Sequence, residues 1–297
     1  MTKLAASSRW APWIFLAPFL LVFVVFTLYP LARSVLLATH QTFGPEHERY
    51  VGARNFAAMI ADPLFWTALR NTFVFALASV FIQLPISLGL ALLIERRGTP
   101  ARAFWRIVLF SPALVGVVFA AMIFGIILEK RTGLLNVMLH QLTAGAWNLD
   151  FAWTQQYVMS ALVVASLWMF VGFNMIYFVA ALQNVRRDLA EAAVIDGAGP
   201  ISRFRHVTLP AIRPVAGFVV LTSIIGSFQL FELPYLMLNQ TAGPDNRGLT
   251  IVMYLYQVGF EVGDLGYASA IGWGLAIILV ACTIVQRVLA RREEAAA

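Results

Sequence analysis

The sequence has 297 residues, of which 60% are hydrophobic and 12% are charged, with a mean hydropathy of +0.79 and a formal net charge of +6. Soluble domains carry about 25% charged residues, so this composition excludes a soluble globular domain and predicts a polytopic membrane protein. Cys282 is the single cysteine, which excludes an intrachain disulfide and a cysteine-based metal site. Neither Lys3 nor Lys130 follows a glycine, so the chain encodes no phosphate-binding G-x-x-x-x-G-K-[ST] loop and is not expected to hydrolyse ATP.

Six apolar segments are long enough to cross about 30 Å of hydrocarbon at about 1.5 Å per residue. They predict membrane spans at residues 10–32, 71–94, 107–128, 156–183, 215–238 and 265–286. The fourth apolar run begins at residue 151, and we expect its first residues to lie at the membrane interface. The fifth run is interrupted by Glu232 but continues to Leu238. The sequence therefore predicts a single all-α transmembrane domain over residues 1–297.

Lysine and arginine residues are unevenly distributed between the predicted loops. If both termini are cytoplasmic, fourteen of the 21 lie in cytoplasmic segments and seven in external segments. Because short cytoplasmic loops carry an excess of positive charge, we expect both termini to be cytoplasmic. The basic pI of 9.8 is thus a topology signal and does not indicate nucleic-acid binding. The first apolar run exceeds the ~7–15 residues of a signal-peptide core, so it is expected to be a retained span.

The remaining segments predict outer loops at residues 39–69, 129–153 and 239–264. We expect a short interfacial helix in the first loop and a turn at residues 241–244 in the third. The last span carries small residues at 266, 270 and 274. This stripe predicts close helix packing within the chain, with a subunit interface as the alternative.

The segment between the fourth and fifth spans has the most distinctive pattern. Residues 191–210 read EAAVIDGAGPISRFRHVTLP. The first residues favour a helix, and Gly197 is expected to reverse the chain with a positive φ or a close backbone approach. Pro200 can start a second helix, since proline is favoured at the first helical position, and Leu209-Pro210 is expected to close the unit. The pattern predicts a helix–turn–helix that offers a small surface to a partner.

This pattern resembles the EAA loop of membrane subunits of binding-protein-dependent ABC importers. The wider similarity, from Tyr29-Pro30 to the last span, is to carbohydrate-uptake permeases of the maltose and glycerol-phosphate type. About seven positions match at fixed spacing, and Val207 stands where the family more often has isoleucine. The resemblance implies a type I importer permease fold with a cytoplasmic coupling loop at residues 186–213. The residues that it assigns to ATPase coupling are Glu191, Ala192, Ala193, Asp196, Gly197, Leu209 and Pro210.

The resemblance also implies a set of partners and a mechanism of alternating access. It implies a second homologous permease subunit, two cytoplasmic ABC ATPase subunits that bind ATP and Mg²⁺, and an extracytoplasmic substrate-binding protein. The chain itself is expected to bind no cofactor, metal or nucleic acid. It is expected to be a multi-pass protein surrounded by lipid in the cytoplasmic (inner) membrane of a bacterium or archaeon.

Polar side chains inside two predicted spans indicate where a substrate could pass. Such side chains are costly in lipid and tend to face a bundle interior or water. Aromatic faces beside amides and hydroxyls suit a sugar, although ordinary interhelical packing is the alternative. The predicted pathway residues are Phe170, Phe173 and Asn174 in the fourth span, followed by Tyr177, and Ser227, Phe228, Gln229 and Glu232 in the fifth. We expect Glu232 to lie near the outer mouth, not to act as a midplane proton relay.

No pattern typical of an enzyme is present, since the four histidines are scattered over predicted loops and are not spaced as metal ligands. The alternative function is a self-sufficient secondary transporter or channel driven by ion gradients. The absence of a charged residue at midplane depth and of detectable inverted repeats argues against it. A membrane anchor for soluble partners would explain the EAA-like loop but not the polar residues in the spans.

Overall fold

The computed structural model describes residues 11–42, 48–96 and 100–294. These residues form two units. The first comprises the described residues of Met1–Asp62 together with Leu255–Ala276, and the second comprises those of Pro63–Tyr254 together with Ile277–Ala297. The predicted start of the first span at residue 10 lies outside the described residues.

The described residues are predominantly helical. The helices are, in chain order, α1 (Pro12–Ala38), α2 (Arg54–Ala61), α3 (Pro63–Glu95), α4 (Arg102–Leu114), α5 (Val117–Ile127), α6 (Leu134–Leu142), α7 (Trp153–Gln156), α8 (Val158–Gln183), α9 (Arg187–Ile195), α10 (Pro200–Phe228), α11 (Glu232–Met237), α12 (Ile251–Val262) and α13 (Leu265–Glu294). Five of them are long and apolar enough to cross a membrane, and the α4–α5 pair would make a sixth span. The predicted all-α, multi-span architecture is confirmed.

Several helices extend beyond the predicted spans. Helix α1 continues to Ala38, α3 begins at Pro63, and α13 continues to Glu294. The hydropathy of the sequence identifies only the apolar part of each helix, whereas backbone hydrogen bonds continue through flanking charged residues such as Arg33 and Arg70. Helix α3 therefore includes residues that were predicted to belong to the first outer loop.

In the first unit, a two-stranded antiparallel sheet links α1 to α2. Strand β1 (His40–Thr42) pairs with β2 (Glu48–Tyr50) in the register His40↔Tyr50. The start of α13 packs against this sheet so closely that a Cβ on Gly266 would lie 1.8 Å from the His40 carbonyl oxygen. Farther along α13, a Cβ on Gly274 would lie 2.9 Å from the Met59 sulfur. The small-residue stripe of the last span therefore packs within the chain, as predicted.

Three long helices contain a π-helical turn that ends two residues before a proline. The turns are Val24–Leu28 in α1, Ser79–Gln83 in α3 and Phe204–Thr208 in α10. Each is followed by one residue and then Pro30, Pro85 or Pro210. A proline inside a helix lacks the N–H group and crowds the carbonyl four residues earlier, and a π turn shifts the hydrogen bonding to relieve both problems. The helices consequently continue past these prolines.

Helix α8 occupies the centre of the second unit. One buried cluster joins it to α3, α5 and α11 through residues such as Phe75, Phe124 and Leu162. A second cluster joins it to α3 and α10 through Met175 and others. Helix α8 also touches the backbone of α4, since a Cβ on Gly172 would lie 1.7 Å from the Leu109 carbonyl oxygen.

The third predicted span, at residues 107–128, is not one straight helix. Helices α4 and α5 meet at an angle of 92°. The final turn of α4 is a 3₁₀ turn at Ser111–Leu114, and Val115 and Gly116 are extended, with ψ of 123° and 147°. Pro112 cannot supply an N–H group to continue the α-helical pattern, and Gly116 has little intrinsic preference for a helix. The apolar run contains these two helix breakers, so its length alone gave an incomplete description.

The predicted second outer loop is folded around one buried amide. The Asn136 side chain donates to the carbonyl oxygens of Glu129, Leu149 and Phe151 and accepts hydrogen bonds from the Trp147 and Trp153 indoles. The third loop contains the predicted turn, with φ of +69° at Gly243, followed by a 3₁₀ turn at Pro244–Asn246. It also contains helix α12, which the sequence interpretation did not identify.

Candidate functional site

The second unit contains a cavity of about 470 Å³ between helices α3, α8, α10 and α11. Its polar lining residues are Ser79, Gln83, Asn174, Thr222, Ser223, Ser227, Gln229 and Glu232. Aromatic side chains line the same space, namely Phe75, Phe170, Phe173 and Phe231. Glu232 is the only charged residue in the lining formed by the described part of the chain. The cavity thus combines aromatic faces with neutral hydrogen-bonding groups.

Helix α8 places its predicted residues on one wall of this cavity. Phe170, Phe173 and Asn174 are three and four residues apart, so they share a helix face. Asn174 is 5% exposed, and it makes no side-chain hydrogen bond to another described residue. Tyr177 lies one turn farther along and does not line the cavity. Its ring instead packs edge-on against Phe173 and Phe218, with centroid distances of 5.4 and 5.8 Å.

The fifth predicted span breaks beside the cavity. Helix α10 ends at Phe228, and α11 begins at Glu232 after a short non-helical segment. The Leu230 carbonyl oxygen in this break accepts a 2.6 Å hydrogen bond from the Thr250 hydroxyl. A backbone group released from a helix at membrane depth needs such a partner, because lipid offers none. The predicted fifth span at residues 215–238 is therefore corrected, since it comprises the end of α10, a break and α11.

The break brings three of the four predicted residues of this span to the cavity. Ser227, Gln229 and Glu232 line it, whereas Phe228 is 2% exposed and points into the packed interior. The Ser227 hydroxyl donates to the Ser223 carbonyl oxygen at 2.7 Å, which leaves its lone pairs for another partner. Gln229 and Glu232 are exposed to the cavity, and Gln229 makes no side-chain hydrogen bond to a described residue.

The sequence interpretation missed two groups of lining residues. Ser79 and Gln83 come from α3, and Thr222 and Ser223 come from the C-terminal part of α10. The signal was available, since each is a polar residue inside an apolar run and such residues tend to face a cavity. The sequence prediction covers only the stripe around Asn174 in the fourth span and the residues from Ser227 to Glu232 in the fifth.

The EAA-like segment has the predicted helix and turn. Helix α9 ends at Ile195, and Gly197 has φ of +77°. The Gly197 N–H donates to the Val194 carbonyl at 3.1 Å, and the Ala198 N–H donates to the Ala193 carbonyl at 2.8 Å. This pair of hydrogen bonds is the Schellman motif. The predicted positive φ is confirmed, whereas no atom lies within 4 Å of a Cβ added to Gly197, so close backbone approach is not the reason for the glycine.

The second half of this segment differs from the prediction. Pro200 begins a helix, but Leu209-Pro210 does not end it, because the π turn at Phe204–Thr208 carries the helix through to Phe228. Leu209 and Pro210 are therefore exposed residues within α10. Glu191, Ala192, Asp196 and Gly197 are also exposed, and Ala193 is half-buried.

A charged pair lies at the start of α9, and two exposed isoleucines flank the turn at its end. The hydrogen bond between the Arg186 guanidinium and the Asp188 carboxylate, 2.5 Å long, raises the pKa of Arg186 and lowers the pKa of Asp188. Asp188 lies in the first turn of α9, where a negative charge is favourable. On either side of the turn, Ile195 and Ile201 are 86% and 83% exposed. Large exposed apolar side chains at a turn indicate a contact surface.

Comparison with known proteins identifies similar chains over nearly the whole length. The family model described as "Binding-protein-dependent transport system inner membrane component" matches residues 84–294. The arabinooligosaccharides transport system permease protein AraP of Bacillus subtilis is 38% identical over 281 residues, covering 94% of this chain and 88% of that protein. The lactose transport system permease protein LacF of Rhizobium radiobacter is 30% identical over 286 residues, covering 95% and 94%.

A solved structure shares the fold. It is the bacterial alginate ABC transporter in complex with an alginate pentasaccharide-bound periplasmic protein, with a TM-score of 0.83 at 21% identity. The superposition covers 95% of this chain and 94% of that chain. The helical arrangement described above is therefore one that a transporter is known to adopt.

Proposed function

The chain belongs to the family of binding-protein-dependent transport system inner membrane components and is a permease subunit of an ABC importer, and we propose that the substrate it carries is a sugar or oligosaccharide. Members of this family are transport subunits and not enzymes, and the ATPase lies on separate subunits. The family favours this function over the alternative of an ion-gradient-driven secondary transporter or channel.

The observation that carries the sugar assignment is the lining of the cavity. The rings of Phe170 and Phe173 line the same cavity as the amides of Asn174 and Gln229. A sugar presents apolar C–H faces, which pack on aromatic rings, and hydroxyls, which both donate and accept hydrogen bonds as amides do. The names of the two curated relatives, which give arabinooligosaccharides and lactose as their substrates, support the same class.

In this proposal the chain supplies one half of the translocation pathway. A second homologous permease supplies the other half, two cytoplasmic ABC ATPase subunits bind ATP and Mg²⁺, and an extracytoplasmic binding protein delivers the substrate. The periplasmic protein in the solved alginate transporter supports the last of these partners. The complex would lie in the cytoplasmic membrane of a bacterium or archaeon, surrounded by lipid.

The EAA-like segment would couple ATP binding to movement of the cavity. Ile195 and Ile201, exposed on either side of the Gly197 turn, would be buried in an ATPase cleft together with the predicted coupling residues. Helix α10 is continuous from Pro200 to Phe228, about 43 Å at about 1.5 Å per residue. Movement of the docked end would therefore be transmitted along α10 toward Ser227 and Gln229 at the cavity.

The orientation is tested with topology reporters. We expect a reporter fused after Arg102 or Arg203 to be cytoplasmic and one fused near Asn246 to be external, because of the excess of positive charge in the segments placed inside. An external reporter at Arg203 would contradict both the orientation and the coupling role of the segment.

The substrate class is tested by transport into vesicles that contain the permease pair and the ATPases, with the binding protein added outside. The panel contains lactose, an arabinooligosaccharide, an amino acid and a dipeptide. We expect ATP-dependent uptake of at least one saccharide and of neither peptide-class compound. Uptake of the amino acid or dipeptide alone would overturn the sugar assignment. Saccharide uptake by this chain alone, driven by an ion gradient, would revive the secondary-transporter alternative.

A further inference from the structure

The π turn in α3 presents two polar side chains to the cavity. Ser79 and Gln83 stand at its two ends and are 6% and 3% exposed, and both line the cavity. The turn packs against α8 and α10, the two helices that carry the predicted pathway residues. A π turn inserts one residue into a helix, and such insertions are frequent at functional sites because they re-aim side chains.

Neither side chain has a hydrogen-bond partner among the described residues. Among the described residues, side-chain polar atoms that are both unpaired and fully inaccessible occur in Arg106, Arg203 and Gln286. Gln83 and Ser79 are not among them, so their unpaired polar atoms retain access to the cavity. An unpaired amide in the interior of a membrane protein is unfavourable.

Two other polar residues of α3 have a structural role, and their hydrogen bonding differs from that of Gln83. Ser87, one turn beyond Gln83, is fully buried, and its hydroxyl donates to the Gln83 carbonyl oxygen at 2.8 Å. Thr72 is also fully buried, donates to the Ala68 carbonyl and accepts from the Ile251 N–H. Both residues satisfy their hydrogen bonds within the chain, whereas Gln83 keeps two donors and an acceptor for an occupant of the cavity.

We propose that Gln83, assisted by Ser79, binds the substrate by donating to and accepting from its hydroxyl groups. This inference rests on the proposed sugar-transport function and adds α3 to the two helices that the sequence indicated. An amide suits adjacent hydroxyls because it offers a donor and an acceptor side by side. The only charged lining residue contributed by the described chain is Glu232, so these neutral groups are available for hydroxyl recognition.

The test uses the complete reconstituted importer and the saccharide that the wild-type assembly transports fastest in the panel above. Gln83→Met keeps the length of the side chain and removes its hydrogen bonds. We expect the uptake rate to fall about 3-fold to 10-fold, the effect of losing one or two hydrogen bonds to the substrate. Thermal stability of the assembly should be unchanged or higher, because the unpaired amide is removed. The matched control, Ser87→Ala, should leave uptake unchanged.

Wild-type uptake by Gln83→Met would overturn the proposal, as would loss of stability without loss of uptake. If Gln83→Met fails to assemble, Gln83→Asn decides, since it keeps an amide but withdraws it by one methylene. Reduced uptake by the assembled Gln83→Asn importer supports the proposal, and undiminished uptake overturns it. Failure of the sugar-transport function itself is distinguishable, because the wild-type importer would then transport no saccharide.

The same experiment identifies the hydroxyl. Among monodeoxy analogues of the transported saccharide, we expect one that wild type and Gln83→Met transport at equal rates, because the missing hydroxyl and the missing amide remove the same interaction. Equal sensitivity of every analogue to Gln83→Met would mean that the residue acts on the shape of the cavity, which contradicts direct hydrogen bonding.

Discussion

Polar side chains are usually exposed and apolar ones buried, and both the cavity and the EAA-like segment depart from this rule. The cavity contains buried polar side chains, whereas the EAA-like segment contains exposed apolar ones. In the cavity, amide side chains such as Asn174 and Gln83 are nearly inaccessible and lack partners among the described residues. In the EAA-like segment, Ile195 and Ile201 are largely exposed. Each arrangement is unfavourable by itself, so each indicates a missing partner. The chemistry of each group indicates its partner. The amides of the cavity suit a hydroxyl-rich substrate, and the isoleucines of the EAA-like segment suit a protein cleft.

The two regions also differ in how they are built. The turn at Gly197 depends on hydrogen bonds between residues three to five apart, so it forms from local sequence. The cavity depends on contacts between helices that are far apart in the chain. Substitutions that disturb helix packing should therefore damage the cavity and the fold together, while substitutions in the EAA-like segment should damage coupling alone.

The largest expected effect comes from Gly172→Ala, which attacks the packing that supports the cavity. The added methyl group would lie 1.7 Å from the Leu109 carbonyl oxygen, and backbone cannot move aside without separating α4 from α8. We expect a destabilisation of about 3 kcal/mol or more, at or above the upper end of ordinary overpacking, and loss of assembled importer. Thermal unfolding of the purified permease measures it. Gly89→Ala in α3, where no atom lies within 4 Å, is the control and should be close to wild type.

Gly197→Leu should produce the next largest effect, and it should leave the fold intact. A side chain at φ of +77° is strained by about 1 kcal/mol or more, which distorts the turn between α9 and α10. We expect inserted, stable permease whose ATPase subunits dissociate, or hydrolyse ATP without transport. Gly199→Ala is the control, because Gly199 has φ of −67° and open space around it. Full ATP-driven transport by Gly197→Leu would show that the segment is only a connection.

Glu191→Arg probes the same surface through its charge. Glu191 is exposed in α9, and a reversed charge there should weaken docking on an ATPase subunit while the spans stay inserted. We expect partial recovery of transport when an ATPase arginine that crosslinks to position 191 is changed to glutamate. Unaltered transport by the single variant would remove Glu191 from the coupling residues.

Gln229→Ala should have a smaller effect, confined to transport. Its side chain is exposed to the cavity and has no partner among the described residues, so its removal leaves no buried group unpaired. We expect transport to fall about 2-fold to 10-fold, with assembly and basal ATP hydrolysis retained. If the variant does not assemble, Gln229 holds helices together and the packing alternative is correct for this residue.

The smallest expected effect concerns the start of α9. The Arg186 hydrogen bond lowers the pKa of Asp188, so the pair stabilises the folded chain above the unfolded carboxyl pKa of about 3.9, and this contribution is lost as the pH falls through the lower folded value. Asp188→Asn should lower the melting temperature slightly at pH 7, and the difference from wild type should shrink below about pH 4. If the difference in melting temperature between Asp188→Asn and wild type grew as the pH fell, the pair would not stabilise the folded chain in the way described.

Much of the architecture could be read from the sequence because its cause is local. A run of apolar residues defines a span whatever its neighbours are, and the helix–turn pattern ending at Gly197 produced the predicted positive φ. The aromatic and amide stripe of α8 followed from helical periodicity alone, and its members Phe170, Phe173 and Asn174 do line one cavity.

Tertiary structure decided what happens where local signals conflict. Pro210 is a helix breaker by intrinsic preference, yet the π turn at Phe204–Thr208 shifts the hydrogen-bond pattern before it, and α10 continues to Phe228. Conversely, the apolar run at residues 107–128 bends by 92° at its proline and glycine. Which of the two outcomes occurs depends on the helices that pack on either side.

The sequence by itself determined the class of protein, the apolar spans and the coupling turn, since hydrophobicity and short-range hydrogen bonding act within a few residues. Only the tertiary structure decided that Phe228 packs inside while Gln83 faces the cavity. The direction of the Phe228 side chain depends on where α10 ends, and the direction of the Gln83 side chain depends on the π turn of α3. Both are set by contacts between α3, α8 and α10, which are distant in the chain and adjacent only after folding.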